Sequence, residues 1–550
     1  MHPCLHIDEI LEQVVHSCSS SEADLARLGR VCRAFYEPAM DALWAHTPFA
    51  IEKLLLCLPT DAINTKRSWV YLECPDYTPS LCSGVTRALL PHEWTRFSHH
   101  ARRVKSISLS EMHVDNYSLA FSESNQAATS YLEALRHRFH GQCIFPRLQE
   151  LTIHELFEPY LDLFLRPELG SCHVENSPEE TMGKIFQRLG MCATSLNTLI
   201  ITFPRGRTSA ATQHQQATLL ELCTKLKDLT THTPILPSTL VVLASSRRLR
   251  SLRLQLSLPI IHVNDIRPLR SLAFADLTTL SLESPVEHLQ AFLHIAYMPC
   301  VRNVELIVSR YWQRVLLPQP SVFSLNLLIE SVAGLISIRK LALRLTGDGS
   351  ELGLNTVISS ESLLPLTALF LLESLEIDCP CVDMQPRHIP RMASAWPHMQ
   401  HLTLAGSDPW TYSEADNLFR PSICIEDLYP FAQHCPLLHH LAVHVSGEIA
   451  PFAPVYDAEV PIAHANMSEL HLTDSYLSEG WERARVARFV VTVFPAVGAS
   501  AGVYARIQPV EREIRSLLLE DTALLDTVYV LDFKLIVYTD EYYSDLRANH

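Results

Sequence analysis

Leu372-Glu373-Ser374-Leu375-Glu376-Ile377 is a six-residue phrase with apolar side chains at its first, fourth and sixth positions. Leu375 and Ile377 stand two residues apart and therefore point to one face of a short strand. Leu372 comes at the bend that leads into this strand. The same spacing of apolar residues recurs in eleven copies, at 104–109, 148–153, 196–201, 249–254, 277–282, 301–306, 338–343, 372–377, 399–404, 438–443 and 467–472. The phrase therefore determines the fold of most of the chain.

The segments between copies predict a returning helix or loop. In one of them, Leu289, Phe292, Leu293 and Ala296 fall on a single helix face. One strand with its helix cannot bury its apolar face alone, so successive units must stack. The phrase resembles that of leucine-rich repeats, although the family's usual Asn or Cys is mostly missing and the copies begin 24 to 53 residues apart. The predicted fold class is α/β, with a small N-terminal helical domain before an irregular leucine-rich-repeat-like solenoid that has a parallel, curved sheet.

The composition excludes several classes of protein. The chain has 550 residues, and its 44 Lys and Arg against 60 Asp and Glu give a net charge of −16. A disordered chain is not 47 % hydrophobic, and a nucleic-acid-binding protein needs an excess of cations. The 15 cysteines form no C-x-x-C pair, which predicts reduced thiols.

No enzymatic activity, cofactor or membrane segment is expected. The motifs G-x-G-x-x-G, G-x-x-x-x-G-K-[ST], H-E-x-x-H and G-x-S-x-G are missing. The first residues become acidic at Asp8 without a basic region before it, unlike a signal peptide. The apolar run 489–505 contains Pro495 and is shorter than a membrane span of about 20 residues. We therefore expect a cytoplasmic or nuclear protein that is not secreted.

The first fifty residues follow a different pattern, with apolar residues at helical spacing in three short runs. These runs begin at Ile7, Leu25 and Pro38. Three short helices bury little apolar surface by themselves. One interpretation is therefore that they cap the solenoid, and a second comes from a family resemblance.

The same residues resemble an F-box. Residues 5–11 are similar to its opening L-P-x-E-I-L, with His6 where the family usually has Pro. Residues 24–35 match its D-L and V-C-R elements, and Leu43-Trp44 matches its closing L-W. Further segments resemble those common in F-box proteins of mushroom-forming fungi, at 93–97, 101–105 and 486–495.

The resemblance implies a substrate-recognition adaptor of an SCF-type ubiquitin ligase. The F-box would dock on the Skp adaptor and its cullin ligase core, and the repeats would bind a target protein. Apolar anchors on short helices would enter a groove of Skp. The residues carried over as Skp contacts are Leu5, Ile7, Ile10, Leu11, Leu25, Leu28, Val31, Cys32, Phe35 and Trp44. For each residue, the alternative is that it holds the three helices together.

The residues between the apolar anchors of each phrase alternate away from the core and line the concave face of the sheet. Any solvated sheet shows such polar rows, and here they are also the surface on which a target protein would bind. The candidate target-binding residues are Glu376, Asp378, His401, His440, His444 and His471. No metal site is expected, because no Cys or carboxylate accompanies the histidines at fixed ligand spacing.

The predicted organisation has four parts: an F-box over 1–48, a helical connector over 49–100, the repeat solenoid over 101–480, and a cap of helix and strand over 481–550. Two functions stay open. One is the SCF adaptor, which performs no bond chemistry itself. The other is a leucine-rich-repeat scaffold for protein interactions whose F-box does not engage Skp, and His6 in place of the usual Pro keeps this alternative open.

Overall fold

Parallel strands dominate both compact units of the computed structural model, Met1–Phe274 and Ala275–His550. The residues that the structure describes are 7–46, 50–67, 81–85, 87–109, 132–175, 178–202, 209–233, 235–256, 272–309, 311–312, 315–316, 322–346, 357–379, 381–404, 422–445, 464, 466–472, 489–490 and 492–494.

The first unit opens with three helices, α1 (Asp8–Ser17), α2 (Glu22–Val31) and α3 (Arg33–Ala45). The hydroxyl of Ser21 caps α2 by accepting a hydrogen bond from the backbone N–H of Asp24 at 3.2 Å. Gly29 lets α2 approach α3 closely, because a Cβ there would lie 2.8 Å from the terminal methyl of Met40. The buried core of the three helices consists of Leu11, Val15, Leu25 and Phe35.

The predicted connector contains a pair of strands as well as helices. Helix α4 (Ala50–Leu55) precedes β1 (Ile63–Arg67) and β2 (Leu81–Val85), which pair antiparallel. Helix α5 (Trp94–Ala101) follows. Trp94 is buried and meets the ring of Phe139 edge-on, with centroids 5.8 Å apart. This contact joins α5 to the helix over 132–139, α6.

Six parallel strands follow in the first unit: β3 (Ser106–Ser108), β4 (Glu150–His154), β5 (Ser171–Glu175), β6 (Thr198–Ile201), β7 (Asp228–Thr231) and β8 (Ser251–Gln255). Each pairs with the next in register, so that Ile107 lies opposite Leu151 and Leu229 opposite Leu252. The predicted apolar anchors here are at most 2 % exposed. The returning segments are α6, α7 (Glu179–Leu189), α8 (Ala210–Leu222), α9 (Pro237–Ser245) and a 3₁₀ helix, Glu155–Leu163.

Strands β5 and β7 lie outside the eleven predicted copies of the phrase. Their anchor positions include Cys172 and Thr231, where the pattern asks for a large apolar residue. Both side chains are fully buried. The amide of Gln216 donates to the Thr231 hydroxyl at 3.2 Å, which satisfies this polar group inside the core. The two longest predicted intervals, 48 and 53 residues, therefore each contain an additional repeat.

The second unit has seven parallel strands in its sheet. A short strand, β9 (Leu272–Ala273), ends the first unit. The seven strands of this sheet are β10 (Thr279–Ser284), β12 (Asn303–Ser309), β15 (Lys340–Thr346), β17 (Ser374–Asp378), β19 (His401–Leu404), β20 (His440–Val443) and β21 (Glu469–Leu472). Short additional strands occur between them along the chain. They are β11 (Ala296–Tyr297), the antiparallel pair β13 (Tyr311–Trp312) and β14 (Val315–Leu316), and the parallel pair β16 (Val357–Ser359) and β18 (Cys381–Asp383).

Helices return the chain between the strands of the second unit. The predicted helical residues Leu289, Phe292 and Leu293 are buried in the first of these helices. Ala296, predicted on the same helix face, instead begins the short strand β11, because the helix ends at Ile295. All the predicted strand anchors of this unit are at most 4 % exposed. The helices are α10 (Val286–Ile295), α11 (Val322–Ala333), α12 (Ser360–Leu363), α13 (Ile389–Ala395) and α14 (Tyr429–His434), with 3₁₀ turns at Leu364–Ala368, Pro386–His388 and Ile425–Leu428.

Main-chain hydrogen bonds join each repeat to the preceding one, at the residue directly before the strand. In the first unit this ladder begins with the N–H of Gln149, which donates to the carbonyl of Lys105 at 2.7 Å. In the second unit it runs from Arg302 to Ser468 with N···O distances of 2.7–2.9 Å. The ladder uses no side chain, so it forms with a different residue in each repeat. The predicted fold class, a leucine-rich-repeat-like α/β solenoid, is confirmed.

The predicted C-terminal cap lies mostly outside the described residues. Val490 and Phe494, which belong to its described part, are fully buried. The carbonyl of Val493 accepts a hydrogen bond from the N–H of His464 at 2.8 Å. Nε2 of His464 in turn donates to the carbonyl of Cys435 at 2.7 Å. This short segment therefore packs on the late repeats of the second unit.

The eleven cysteines for which the structure gives a state are free thiols, and only Cys300 among them is exposed. Within the described ranges, no helix is long and apolar enough to cross a membrane.

Candidate binding surfaces

The predicted Skp-contact residues divide into three groups by burial. In the first group, Leu11, Leu25 and Phe35 are 5, 3 and 6 % exposed. They form the core of α1–α3 together with Val15. These residues hold the helices together, so they support the surface without being available to a partner.

The second group lies at the edge of this core. Leu28 and Cys32 are half-buried and pack against it, and Ile10 is also half-buried. Trp44 stacks on His100 of α5, with ring centroids 4.7 Å apart. Trp44 therefore joins α3 to α5.

The third group is exposed. Val31, the last residue of α2, is 69 % exposed, and Ile7 is 47 % exposed. Tyr36 of α3, which our sequence prediction did not include, is 40 % exposed. The predicted contact Leu5 and the adjacent His6 lie outside the described residues. Exposed apolar side chains in and directly before α1–α3 thus include Ile7, Val31 and Tyr36.

A buried arginine fixes α3 to the start of the repeats. Arg103 is 3 % exposed and donates hydrogen bonds to the carboxylates of Glu37 and Asp41 on α3. Nearby, the N–H of Lys105 donates to the carbonyl of Ala45 at 2.9 Å. We call this set of contacts, together with the Trp44–His100 stack, the helix–repeat joint. The sequence did not predict it.

His100 is a neutral ring within this joint. It is 8 % exposed, and its Nδ1 has no hydrogen-bond partner among the described residues. Burial lowers the pKa of His100 to about 4, and His99 and Arg103 act in the same direction. At neutral pH the ring is therefore uncharged and stacks on Trp44 without bringing a further cation beside Arg103.

The outward face of the second sheet carries the polar rows that strand alternation predicts. Arg344 on β15 pairs with Glu305 at 3.3 Å and with Glu376 at 3.0 Å, one on each neighbouring strand. The hydroxyl of Ser281 donates to Glu305 at 2.7 Å. The candidate Glu376 is therefore one end of a bonded row that crosses four strands and contains both charges. Asp378 is the last residue of β17.

Histidines continue this face on the last three described strands. The rings of His401 and His440 stack with centroids 4.0 Å apart and planes 12° from parallel. The ring of His471 lies 4.7 Å from that of His440. Nδ1 of His440 is 2.8 Å from Oε2 of Glu469. The structure therefore brings three predicted histidines together, while the fourth, His444, directly follows β20.

Glu469 is a carboxylate that our sequence prediction missed. It stands one residue before the anchor Leu470, at an outward position of β21. The parallel register places it opposite His440 on the neighbouring strand. Alignment of the two copies of the phrase could have identified Glu469 as a neighbour of His440. Spacing along the chain could not, because 29 positions separate the two residues.

The surroundings of the histidine row lower the pKa of His401, of His471 and of Glu469. Burial is the main cause that lowers the pKa of His401 and of His471, and His440 lowers both further. The hydrogen bond with His440 is the main cause that lowers the pKa of Glu469. Near neutral pH the rings of His401 and His471 are therefore uncharged and lie near a charged carboxylate, and both kinds of group are potential metal ligands or hydrogen-bond acceptors.

Comparison with known proteins adds little to these observations. No protein-family model matches the chain, and no curated protein matches it. Among solved structures, one similar chain is the leucine-rich-repeat ectodomain of the Arabidopsis receptor kinase HAESA, in complex with an N-terminally extended IDA peptide hormone ligand. The match is 13 % identical, covers 60 % of this chain and 67 % of that chain, and has a TM-score of 0.15. A likeness at this level carries no functional information about the present chain.

Proposed function

We propose that this protein is the substrate-recognition adaptor of an SCF-type ubiquitin ligase. Helices α1–α3 would dock on a Skp-type adaptor, and the repeats would bind a target protein. The observation that carries the proposal is that the F-box-like helices have their own core, expose apolar residues and are fastened to the repeats at the helix–repeat joint. An adaptor needs this division, because one surface binds the ligase while another binds the target.

In this function the chain supplies position rather than a catalytic group. A target lysine held near a charged conjugating enzyme reacts at a high effective concentration instead of by chance encounter. This gain requires a fixed geometry between the docking helices and the first repeat. The ion pairs of Arg103 and the stack of Trp44 on His100 support such a geometry.

The outward face of the second sheet supports the target-binding half of the proposal. Ion pairs and a hydrogen bond already link the side chains of Ser281, Glu305, Arg344 and Glu376. Side chains ordered in advance lose less conformational entropy on binding. A row with both charges also selects partners by charge complementarity. Stacked repeats offer such rows over an extended surface.

The proposal is tested by co-expressing the full chain with a Skp-type adaptor and measuring the mass of the purified complex. We expect a 1:1 complex for the wild type and its loss for Val31→Lys. Lysine places a charge in an apolar interface. It is also compatible with the C-terminal end of α2, where the helix dipole favours a cation.

Met191→Lys is the matched control, because Met191 is 62 % exposed and lies in the first unit outside α1–α3. This variant should retain the complex. If Val31→Lys is recovered as well as Met191→Lys, docking through Val31 is wrong. If the wild type forms no complex, the adaptor proposal is wrong, and the interaction scaffold suggested by His6 takes its place. Leu25→Ala is a poor probe, since it opens a cavity in the helical core.

A further inference from the structure

Three side chains with metal-binding atoms converge on the outward face of the last two described strands of the second unit. They are His440 on β20 and Glu469 and His471 on β21. One ligand atom from each residue lies within 4.8 Å of the ligand atoms of the other two. Nδ1 of His440 lies 2.8 Å from Oε2 of Glu469.

The strand register explains this convergence. His440 is opposite Glu469, and Ala442 is opposite His471. Alternation along each strand points these four side chains to the same face. Ala442 contributes only a methyl group to this face, and the imidazole rings of His440 and His471 lie with their centroids 4.7 Å apart. No metal site was expected from the sequence, because no carboxylate was found at ligand spacing from the histidines. The register between neighbouring repeats supplies that carboxylate.

We propose that His440, Glu469 and His471 bind a divalent transition-metal ion, with zinc as the best match. Zinc binds imidazole nitrogen and carboxylate oxygen at about 2.0–2.2 Å, and sites with three protein ligands leave a fourth position open. Ligand atoms that all lie within 4.8 Å of one another can surround such an ion after small side-chain rotations. Calcium and magnesium are poor matches, since both prefer sets of oxygen ligands.

The surroundings of the three residues suit a metal that remains accessible. The His440 side chain is 16 % exposed and that of Glu469 is 52 % exposed, so solvent or a partner reaches the site from one side. His401 stacks on His440 at 4.0 Å, and its Nε2 lies 3.1 Å from the Thr403 hydroxyl. We assign His401 a positioning role, because outer contacts of this kind fix the orientation of a ligating ring. The site does not depend on the F-box proposal.

The test is a zinc titration of the full chain, purified in metal-free buffer, against a chromophoric chelator. We expect the wild type to bind one equivalent that the double variant His440→Ala/His471→Ala lacks. Substitution of a residue that only contacts a metal ligand usually weakens metal binding by roughly 10–100-fold. Glu469→Gln changes a ligand itself, so it should weaken zinc binding by at least that much. The matched control is His398→Ala, an exposed histidine shortly before β19, and it should bind like the wild type.

Cobalt provides a readout of the ligand set. Co²⁺ in this site should give visible d–d absorption without a thiolate charge-transfer band, which separates the site from binding by any of the cysteines. Thermal unfolding of the metal-free variants should match that of the metal-free wild type, showing that they are folded. The proposal is overturned if the wild type binds no stoichiometric zinc, if the double variant binds zinc equally well, or if the cobalt spectrum shows thiolate ligation.

Discussion

Arg103 is a cation that is almost fully removed from water while its partners are not. The arginine is 3 % exposed, whereas the side chains of Glu37 and Asp41 are 62 and 43 % exposed. The desolvation cost therefore falls mainly on one member of each ion pair, and a guanidinium, which is weakly hydrated, bears that cost best. The ion pairs of Arg103 with Glu37 and Asp41 span 66 and 62 residues of sequence, so no local sequence pattern predicts them.

We predict that Arg103→Met lowers the free energy of unfolding of the first unit by about 2 kcal/mol. Removal of one partner from a buried ion pair usually costs 3–5 kcal/mol, and the hydration available to the remaining carboxylates reduces that cost here. Urea-induced unfolding, followed by circular dichroism, measures the change.

Arg147→Met is the control for this prediction. Arg147 pairs with the same Asp41 at 3.3 Å, but its side chain is 59 % exposed. We expect a loss below about 0.5 kcal/mol, as for other surface ion pairs. Equal losses for the two arginine variants would show that burial of Arg103 contributes nothing.

We predict that His100→Phe makes the protein less sensitive to acid. The pKa of His100 is lowered to about 4 in the folded protein, against about 6.5 in an unfolded chain. The unfolded chain therefore binds the proton first as pH falls. The stability associated with the neutral ring is complete above pH 6.5 and is lost between pH 6.5 and 4, by at most about 3 kcal/mol. Phenylalanine keeps the stack on Trp44 and does not titrate.

The measurement is the difference in Tm between pH 7 and pH 5, which should be smaller for His100→Phe than for the wild type. His137→Gln serves as the control, because the side chain of His137 is 80 % exposed. It should behave like the wild type. An unchanged pH dependence in His100→Phe would contradict the proposed neutral state of His100.

At the scale of the elements, β7 shows how a strand is built when its phrase is incomplete. Leu226 and Leu229 supply two apolar anchors that are 1 and 0 % exposed, and a buried threonine takes the third position. Strand β7 pairs in register with β6 and β8. Two anchors and the neighbouring strands are therefore sufficient for a repeat to form.

We predict that Leu229→Ala destabilises the first unit by about 3 kcal/mol, because it leaves a cavity between repeats. Thr230→Ala, at the adjacent outward position, should cost about 0.5 kcal/mol or less. Chemical denaturation of both variants provides the comparison. Similar costs for the two substitutions would mean that β7 does not place Leu229 in the core.

The sequence predicted the anchors better than it predicted the surface. Every apolar anchor of the eleven copies is buried, since the phrase repeats one local geometry. Strands β5 and β7 were missed because Cys172 and Thr231 do not look like anchors. His401, His440 and His471 were expected on one face, but their contacts depend on the register between strands. Glu469 was missed for the same reason.

At the scale of the whole chain, the hydrophobic content of 47 % has a structural cause. Each repeat shares its core with its neighbours, so a long chain buries an apolar row in every strand. The described helices α1–α3 keep a separate core of their own. The four-part organisation stays a prediction, because most of the fourth part lies outside the described residues.

The main-chain ladder between repeats has a consequence for the evolution of this protein. Any residue except proline supplies the N–H that joins one repeat to the next, as the sequence from Arg302 through Arg339, Glu373 and Gln400 illustrates. Substitution of these positions by any residue other than proline therefore keeps the main-chain hydrogen bond between repeats. An internal duplication that inserts one whole repeat also preserves the main-chain hydrogen bonds on both sides of the insertion. Because outward residues can be exchanged one at a time over a conserved core, duplicated copies of this gene can acquire different binding partners without first losing their fold.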